Sequence, residues 1–381
     1  VVGVGFLKPN ISTVVGKLYP EGDPRRDAGF TIFYMGINIG AFTATLLCGW
    51  LGEVYGWSWG FGAAGIGMLL GLIVFQWGQK YLLGHGEPTD LEKLKRPMGV
   101  PGLTIERSIY LGSFAMVAAV WQLVQLTDTV GTLLDVLSLS VLAGLGWFLI
   151  FRCNKVERER MFVLIVLTLS TVIFWALFEQ GAGSMTLYAD RVTDKALFGI
   201  SLTAAQFGAA NSFFIFSLAP LFAALWVWLN RKGWEPGTSV KFALGIAQAG
   251  LGFGVLVYGA QFPDQAGLIS AWWLILAYLL HTTGELCLSP VGLSAVTKLA
   301  VPSVVGVMMG TWFLASAYSS YVAAQIATIA SQPADQSGLN LTEALGGYTE
   351  LFSQLLYIGL AGGVALLLLA PLLKRMMHGV K

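Results

Sequence analysis

Charge is scarce in this sequence: 21 acidic and 22 basic residues make up 11% of it, against the roughly one quarter usual for soluble domains. Cysteine and histidine are scarcer, at three each. Cys48, Cys153 and Cys287 form an odd, scattered set without metal-ligand spacing, so they imply no disulfide framework and read as small apolar packing residues. No phosphate-binding glycine loop, nucleophile triad or metal cluster is visible, which argues against an ATP-driven pump or a membrane enzyme. The short alternating segments of a transmembrane β-barrel are also missing. The net charge of +1 carries no message about nucleic acid.

What fills the chain is apolar surface: 56% hydrophobic residues and a mean hydropathy of +0.71. A helix rising about 1.5 Å per residue needs about 20 mostly apolar residues to cross the hydrocarbon core. Eleven stretches meet that need, at 1–19, 28–52, 57–83, 104–127, 132–152, 161–188, 202–229, 238–262, 268–297, 303–330 and 346–373. The fold class is therefore all-α and polytopic in a membrane. Many of the 47 glycines fall inside these stretches (Gly62, Gly65, Gly67, Gly71), where small residues let helix backbones approach closely.

The few charges are placed asymmetrically. If the first stretch runs inward and the rest alternate, Lys17, Arg25, Arg26, Lys80, Arg152, Arg231, Lys298, Lys374 and most other basic residues share one side. Only Arg191 and Lys195 fall opposite. Lys and Arg are enriched in cytoplasmic loops, so the populated side and the C-terminus are expected inside. A cytoplasmic N-terminus would then require an odd number of helices before Val1, and the sequence reads as a fragment. The polar, Pro/Gly-rich 84–103 stretch reads as a cytoplasmic linker and 331–345 as an exterior loop. The charges of 153–160 read as a solvated helix end.

Three charges lie inside apolar stretches: Lys8, Glu179 and Glu285. An ionised group at the bilayer centre costs about 2.5–3.5 kcal/mol on insertion scales, so it needs a reason to be there. One reason is a structural ion pair fixing helix packing. The other is a water-filled cavity in which carboxylates take up protons and charged substrate ends. Helical spacing supplies neighbours: Trp175 with Glu179, Tyr34 with Asn38, Lys8 with Ser12, Glu285 with Ser289 and Trp312 with Ser316 are each four apart. Asn211 is a lone amide on another helix. Such a lining suits a zwitterion with a variable side chain. Lys8-Pro9, Gly284-Glu285 and Ser289-Pro290 predict broken or bent helices near these charges. His281, one turn before Glu285, reads as a packing residue, with a proton relay the alternative.

Four strings carry a resemblance: GVGFLKPNIS at 3–12, FTIFYMGINIGAF at 30–42, FWALFEQGAGSMTLYADR at 174–191 and GELCLSPVGLSAVTK at 284–298. Together they closely resemble the proton-dependent oligopeptide transporter family of the major facilitator superfamily, in its bacterial form. The resemblance covers essentially the whole chain. It implies two six-helix bundles around a central cavity, with two further helices between the halves. Residues 1–83 would be the remainder of the N-terminal bundle, 84–155 a linker with the inserted pair, and 156–381 the C-terminal bundle. Three helices would precede Val1. The family's first-helix Glu-x-x-Glu-Arg motif is absent, and the Glu157–Arg160 run matches it only superficially.

The resemblance further implies a symporter that imports di- and tripeptides by alternating access, a monomer in the bacterial inner membrane. The proton is the coupling ion, no other cofactor is required, and nucleic acid is no partner. Glu179 would be the protonation site and Lys8 its partner, as well as the partner of the peptide carboxylate. Asn38, Asn211 and Glu285 would receive the peptide amino terminus and backbone. Tyr34, Trp175, Trp312 and Ser316 would line side-chain pockets. A nitrate or other small-solute carrier, or a non-transporting sensor on the same fold, are the alternatives.

Overall fold

The computed structural model describes residues 2–19, 25–88, 90–98, 103–331 and 341–380. Its long helices fall on the apolar stretches: α1 (Val2–Lys17), α2 (Arg25–Tyr55) and α3 (Trp57–Gly78), then, after the short α4 (Leu91–Lys95), α5 (Ile105–Val124), α6 (Thr127–Phe151) and α7 (Lys155–Phe178). The amphipathic α8 (Ser184–Val192) precedes α9 (Ala209–Arg231), α10 (Thr238–Gly259), α11 (Ala271–Leu299), α12 (Val305–Ser331) and α13 (Leu341–Met376). Nine helical runs among the described residues are long and apolar enough to cross a membrane. Besides the short α4, two helices stand outside that set: α1, with 16 residues, and α12, which holds no charge but is diluted by serine, threonine, tyrosine and glycine.

Local chemistry sets the boundaries. The charge cluster at 153–160 opens α7 as a capping box: the Glu157 amide donates to Asn154 Oδ1 and the Asn154 amide to Glu157 Oε2, both at 3.0 Å. Within the expected linker, Asp90 caps the short α4, and Thr104 accepts from the Arg107 amide to start α5. The 331–345 stretch, expected as an exterior loop, lies mostly outside the described residues.

The chain divides into two compact units. The first comprises Val1–Ile37 and Gly62–Val136. Its helices expose large apolar side chains, among them Met68 and Trp77 on α3 and Phe114 and Trp121 on α5. The second comprises Asn38–Phe61 and Leu137–Lys381 and holds most of the buried core, with Met161, Leu164 and Phe174 of α7 against Phe242, Ile246 and Phe253 of α10. Here α10 is the central helix, packed on both α11 and α13. Glycines permit this. A Cβ on Gly359 would lie 2.5 Å from the Gly250 Cα, and one on Gly284 would lie 2.7 Å from the Gly245 carbonyl oxygen.

Two departures from expectation concern helix continuity. Helix α11 runs unbroken through Gly284 and Pro290, and α1 through Lys8 and Pro9. Proline removes a single backbone bond, which neighbouring helices readily absorb, and Gly284 serves close packing on α10 rather than a break. The interruption falls at Glu179 instead. There the 161–188 stretch ends α7, tightens into a 3-10 turn over Glu179–Gly181, and resumes as α8. The connection after α8 also holds structure: β1 (Thr193–Asp194), β2 (Ala196–Leu197) and β3 (Ile200–Ser201), with β1 pairing in parallel with β4 (Ile269–Ser270). Strands β2 and β3 form a hairpin whose turn residues Phe198 and Gly199 both have positive φ, at 51° and 78°.

Candidate polar site in the larger unit

Asn211, on the first turn of α9, and Glu285, in the middle of α11, meet in the larger unit. Asn211 Nδ2 donates to Glu285 Oε2 at 3.2 Å and to Thr282 Oγ1 at 3.0 Å. Thr282, fully buried, donates in turn to the Tyr278 carbonyl at 2.8 Å. Glu285 is half-buried. A carboxylate held by one amide keeps acceptor capacity for an additional donor, such as a substrate ammonium group. Close by on α10, Gln248 accepts from Thr283 Oγ1 at 2.8 Å and extends the polar lining.

Glu179 is not buried, contrary to its position inside an apolar stretch: the turn that ends α7 leaves its side chain exposed. Its Oε1 accepts from Ser320 Oγ on α12 at 3.1 Å, and Ser320 also donates to the Ser316 carbonyl. The backbone beneath it is tied down. Gln180, with no exposed surface, donates to the carbonyls of Ala176 and Ala323 and accepts from Ser184 Oγ at 2.7 Å. The Gly181 carbonyl accepts from both Tyr278 Oη and Thr186 Oγ1. The carbonyls of Ala176, Glu179, Gln180 and Gly181 around the helix break thus find donors, as a low-dielectric setting requires. Sequence reasoning missed Ser320 and Gln180, although Ser320 lies four residues beyond Ser316 and Gln180 adjoins the candidate acid.

The other expected residues divide. Trp175 is half-buried one turn before Glu179, edge-on to Phe178 at 5.2 Å. Ser316 is half-buried on α12. Trp312 is 8% exposed, wedged against Gly292 and Phe242, which makes it a core residue rather than an open pocket wall. His281 is 1% exposed, its Nε2 3.0 Å from the Ala249 carbonyl and its ring against Phe253, as the packing reading expects. Asn38 is half-buried on the part of α2 that belongs to the larger unit. Tyr34, one turn earlier, is 43% exposed and belongs to the smaller unit. Lys8 lies in α1 of the smaller unit, and its side chain is outside the described residues.

The same part of α2 is fixed to the 3-10 turn Ala205–Gly208 that leads into α9. Both Glu53 oxygens accept backbone amides there, from Ala204 at 3.1 Å and Ala205 at 2.6 Å. Gln206 reaches the Leu46 carbonyl at 3.1 Å, and Phe42 packs against Phe213 and Phe216. A carboxylate on free amides at a helix start is favoured by the helix dipole.

A polytopic helical membrane protein that gathers carboxylates, amides and hydroxyls from several helices is built as a solute carrier. The chain belongs to the POT family: the PTR2 (POT family) model matches residues 1–345. This is a family of transporters, not enzymes, and its solved members carry the major facilitator fold. The chain is 38% identical over 384 residues to the uncharacterized transporter YclF of Bacillus subtilis (strain 168), covering 100% of this chain and 74% of that protein. It is 34% identical over 383 residues to dipeptide and tripeptide permease A of Erwinia pyrifoliae, covering 98% and 74%. A mutant peptide transporter POT crystallised with alafosfalin matches at 37% identity and a TM-score of 0.76, over 99% of this chain and 74% of that one. A POT family transporter bound to 5-aminolevulinic acid matches at 29% identity and a TM-score of 0.76, over 97% and 74%. This chain therefore spans about three quarters of the length of these relatives.

Proposed function

We propose that this protein is a proton-coupled symporter that imports di- and tripeptides by alternating access. The observation that carries the reading is the pairing of Asn211 with Glu285. The pair offers one carboxylate and one amide to a ligand end that is cationic and hydrogen-bonding, as a peptide amino terminus is. Membership of the POT family and the dipeptide and tripeptide permeases among its relatives support the same substrate class. A nitrate carrier would set its anion against the Glu285 carboxylate, and no feature among the described residues of the site favours that.

In this reading residues 1–83 contribute to the N-terminal bundle, 84–155 form the linker and inserted helices, and 156–381 form the C-terminal bundle. The transporter is a monomer in the bacterial inner membrane with its C-terminus in the cytoplasm, as the basic-residue asymmetry supports. Glu179 is the protonation site. Its exposure gives a proton access, and Ser320 holds it in one orientation. Neutralising it removes a negative charge from the transport path and with it the attraction for a cationic partner, the role taken by Lys8.

The amino-terminus assignment is tested by competition. Free dipeptides should displace a labelled dipeptide from the wild-type protein well, and N-acetylated dipeptides poorly. Glu285→Ala should abolish that difference. Equal competition by both peptides in the wild-type protein overturns the assignment.

A further inference from the structure

The second half of α2 packs on α9 and on the 3-10 turn that leads into it, and the chemistry of this interface changes along its length. Phe42, Leu46, Gly49 and Glu53 are spaced three or four apart, so they share one face of α2, with Thr45 beside Leu46. The facing chain runs the other way. The Phe42 ring lies 5.9 Å from that of Phe216 and 6.1 Å from that of Phe213. Thr45 Cγ2 would stand 3.6 Å from a Cβ on Gly208, and a Cβ on the buried Gly49 would stand 3.2 Å from the Ala205 Cβ. Beyond these, the Leu46 carbonyl accepts from Gln206, and Glu53 accepts the amides of Ala204 and Ala205. Ring contacts hold one end of the interface and hydrogen bonds hold the other.

The hydrogen-bonded end lies at a membrane surface. Glu53 falls in the last turn of the apolar run Ile32–Tyr55, and Ala205 opens the run Ala205–Arg231. Glu53 is exposed, so water can take the place of either partner when its two hydrogen bonds break. The Phe42 rings and the close approach at Gly49 have no such substitute. The interface therefore parts most easily at its Glu53 end, with the Phe42 rings as the pivot. In the bundle assignment and orientation proposed above, on which the rest depends, α2 belongs to the N-terminal bundle, α9 to the C-terminal bundle and Glu53 to the outer surface. Alternating access requires contacts between the bundles to form and break in every cycle.

We infer that Glu53 is the latch of an outer gate. Its carboxylate, bound to the amides of Ala204 and Ala205 across the two bundles, holds the outer ends of α2 and α9 together, and release of those bonds opens the path to the outside. Gln206 is the second tie, through the Leu46 carbonyl. Glu53 touches no substrate in this role. It is a positioning residue that sets the balance between the closed and the parted state, which a transported solute then shifts by its differential binding.

The test is the alkylation rate of a thiol inside the interface, in lipid nanodiscs, with a charged maleimide that the bilayer excludes and mass spectrometry as the readout. Thr45→Cys, in a chain that also carries Cys48→Ala, places the thiol half-buried at the middle of the Ile32–Tyr55 run. The reagent reaches it along a water path between the parted helices, so the rate follows the parted fraction. Native Cys287, 4% exposed on α11, is the internal control for loosening of the C-terminal bundle itself. Glu53→Ala should speed alkylation at position 45 about 5–30-fold and Gln206→Leu about 2–10-fold, with Cys287 unchanged. Glu53→Gln, which keeps the side-chain shape and one acceptor oxygen, should fall between Glu53→Ala and the wild type. A rise confined to position 45 in either Glu53 variant supports the latch. An unchanged rate at position 45 in Glu53→Ala, or a rise matched at Cys287 in both Glu53 variants, overturns it. No peptide or proton gradient enters this assay, so failure here is separable from failure of the proposed function.

Discussion

The backbone contact between Gly250 and Gly359 makes a sharp prediction about what holds the larger unit together. A Cβ on Gly359 would stand 2.5 Å from the Gly250 Cα and 2.8 Å from its amide nitrogen. Comfortable carbon contacts are about 3.5–4.0 Å, so a Gly359→Ala side chain must force α10 and α13 apart by roughly 1 Å. The obstacle is main chain, which has no rotamer to escape into. Overpacking costs about 1–3 kcal/mol and, with main chain as the obstacle, falls in the upper part of that range, above about 1.5 kcal/mol, while alanine's better helix propensity returns about 1 kcal/mol. The clash wins, leaving a net loss of about 0.5–2 kcal/mol. At roughly 2–4 °C per kcal/mol for a body of this size, the thermal midpoint should fall by about 1–8 °C. Differential scanning fluorimetry of purified protein in detergent measures it. Gly67→Ala on α3 is the control, since nothing lies within 4 Å of its Cβ; its midpoint should hold or rise. A Gly359→Ala midpoint equal to or above that of the wild type would refute the packing argument.

Other consequences are local. Glu53→Ala removes the acceptor from two amides at the start of the 3-10 turn that leads into α9 and should cost about 1–2 kcal/mol of local stability. Hydrogen exchange in a peptide spanning Ala204–Phe207 should then speed up about 5–30-fold, and an unchanged rate would mean the carboxylate caps nothing. Gln180→Leu, which strands the Ala323 carbonyl and the Ser184 hydroxyl in a buried setting, should lower the thermal midpoint by more than Ser320→Ala does. The reverse order would contradict the view that Gln180 supports the turn under Glu179.

The helices were legible because membrane crossing imposes a length and an apolar composition that few other constraints disturb. The pairing of Asn211 with Glu285 was legible as two polar residues in apolar surroundings, and their meeting required tertiary structure. The exact break in α7 was harder to see. Nothing in composition distinguishes FEQGAGS at 178–184 from glycines that only pack helices, and proline drew attention to α11, which runs unbroken. The resemblance implied a side-chain pocket role for Trp312, and its burial against Phe242 is a feature of tertiary packing that helical spacing to Ser316 does not carry. Lys241 read only as one of the basic residues on the populated side, because a lysine at a helix start looks solvated until the neighbouring helices close over it.

The central claim is that proton movement through Glu179 drives peptide uptake. Reconstituted into proteoliposomes, the protein should accumulate a labelled dipeptide when the outside is acid and lose that accumulation when the gradient is collapsed. Glu179→Gln should abolish gradient-driven accumulation while peptide counterflow continues close to the wild-type rate. Undiminished gradient-driven uptake by Glu179→Gln would contradict the account.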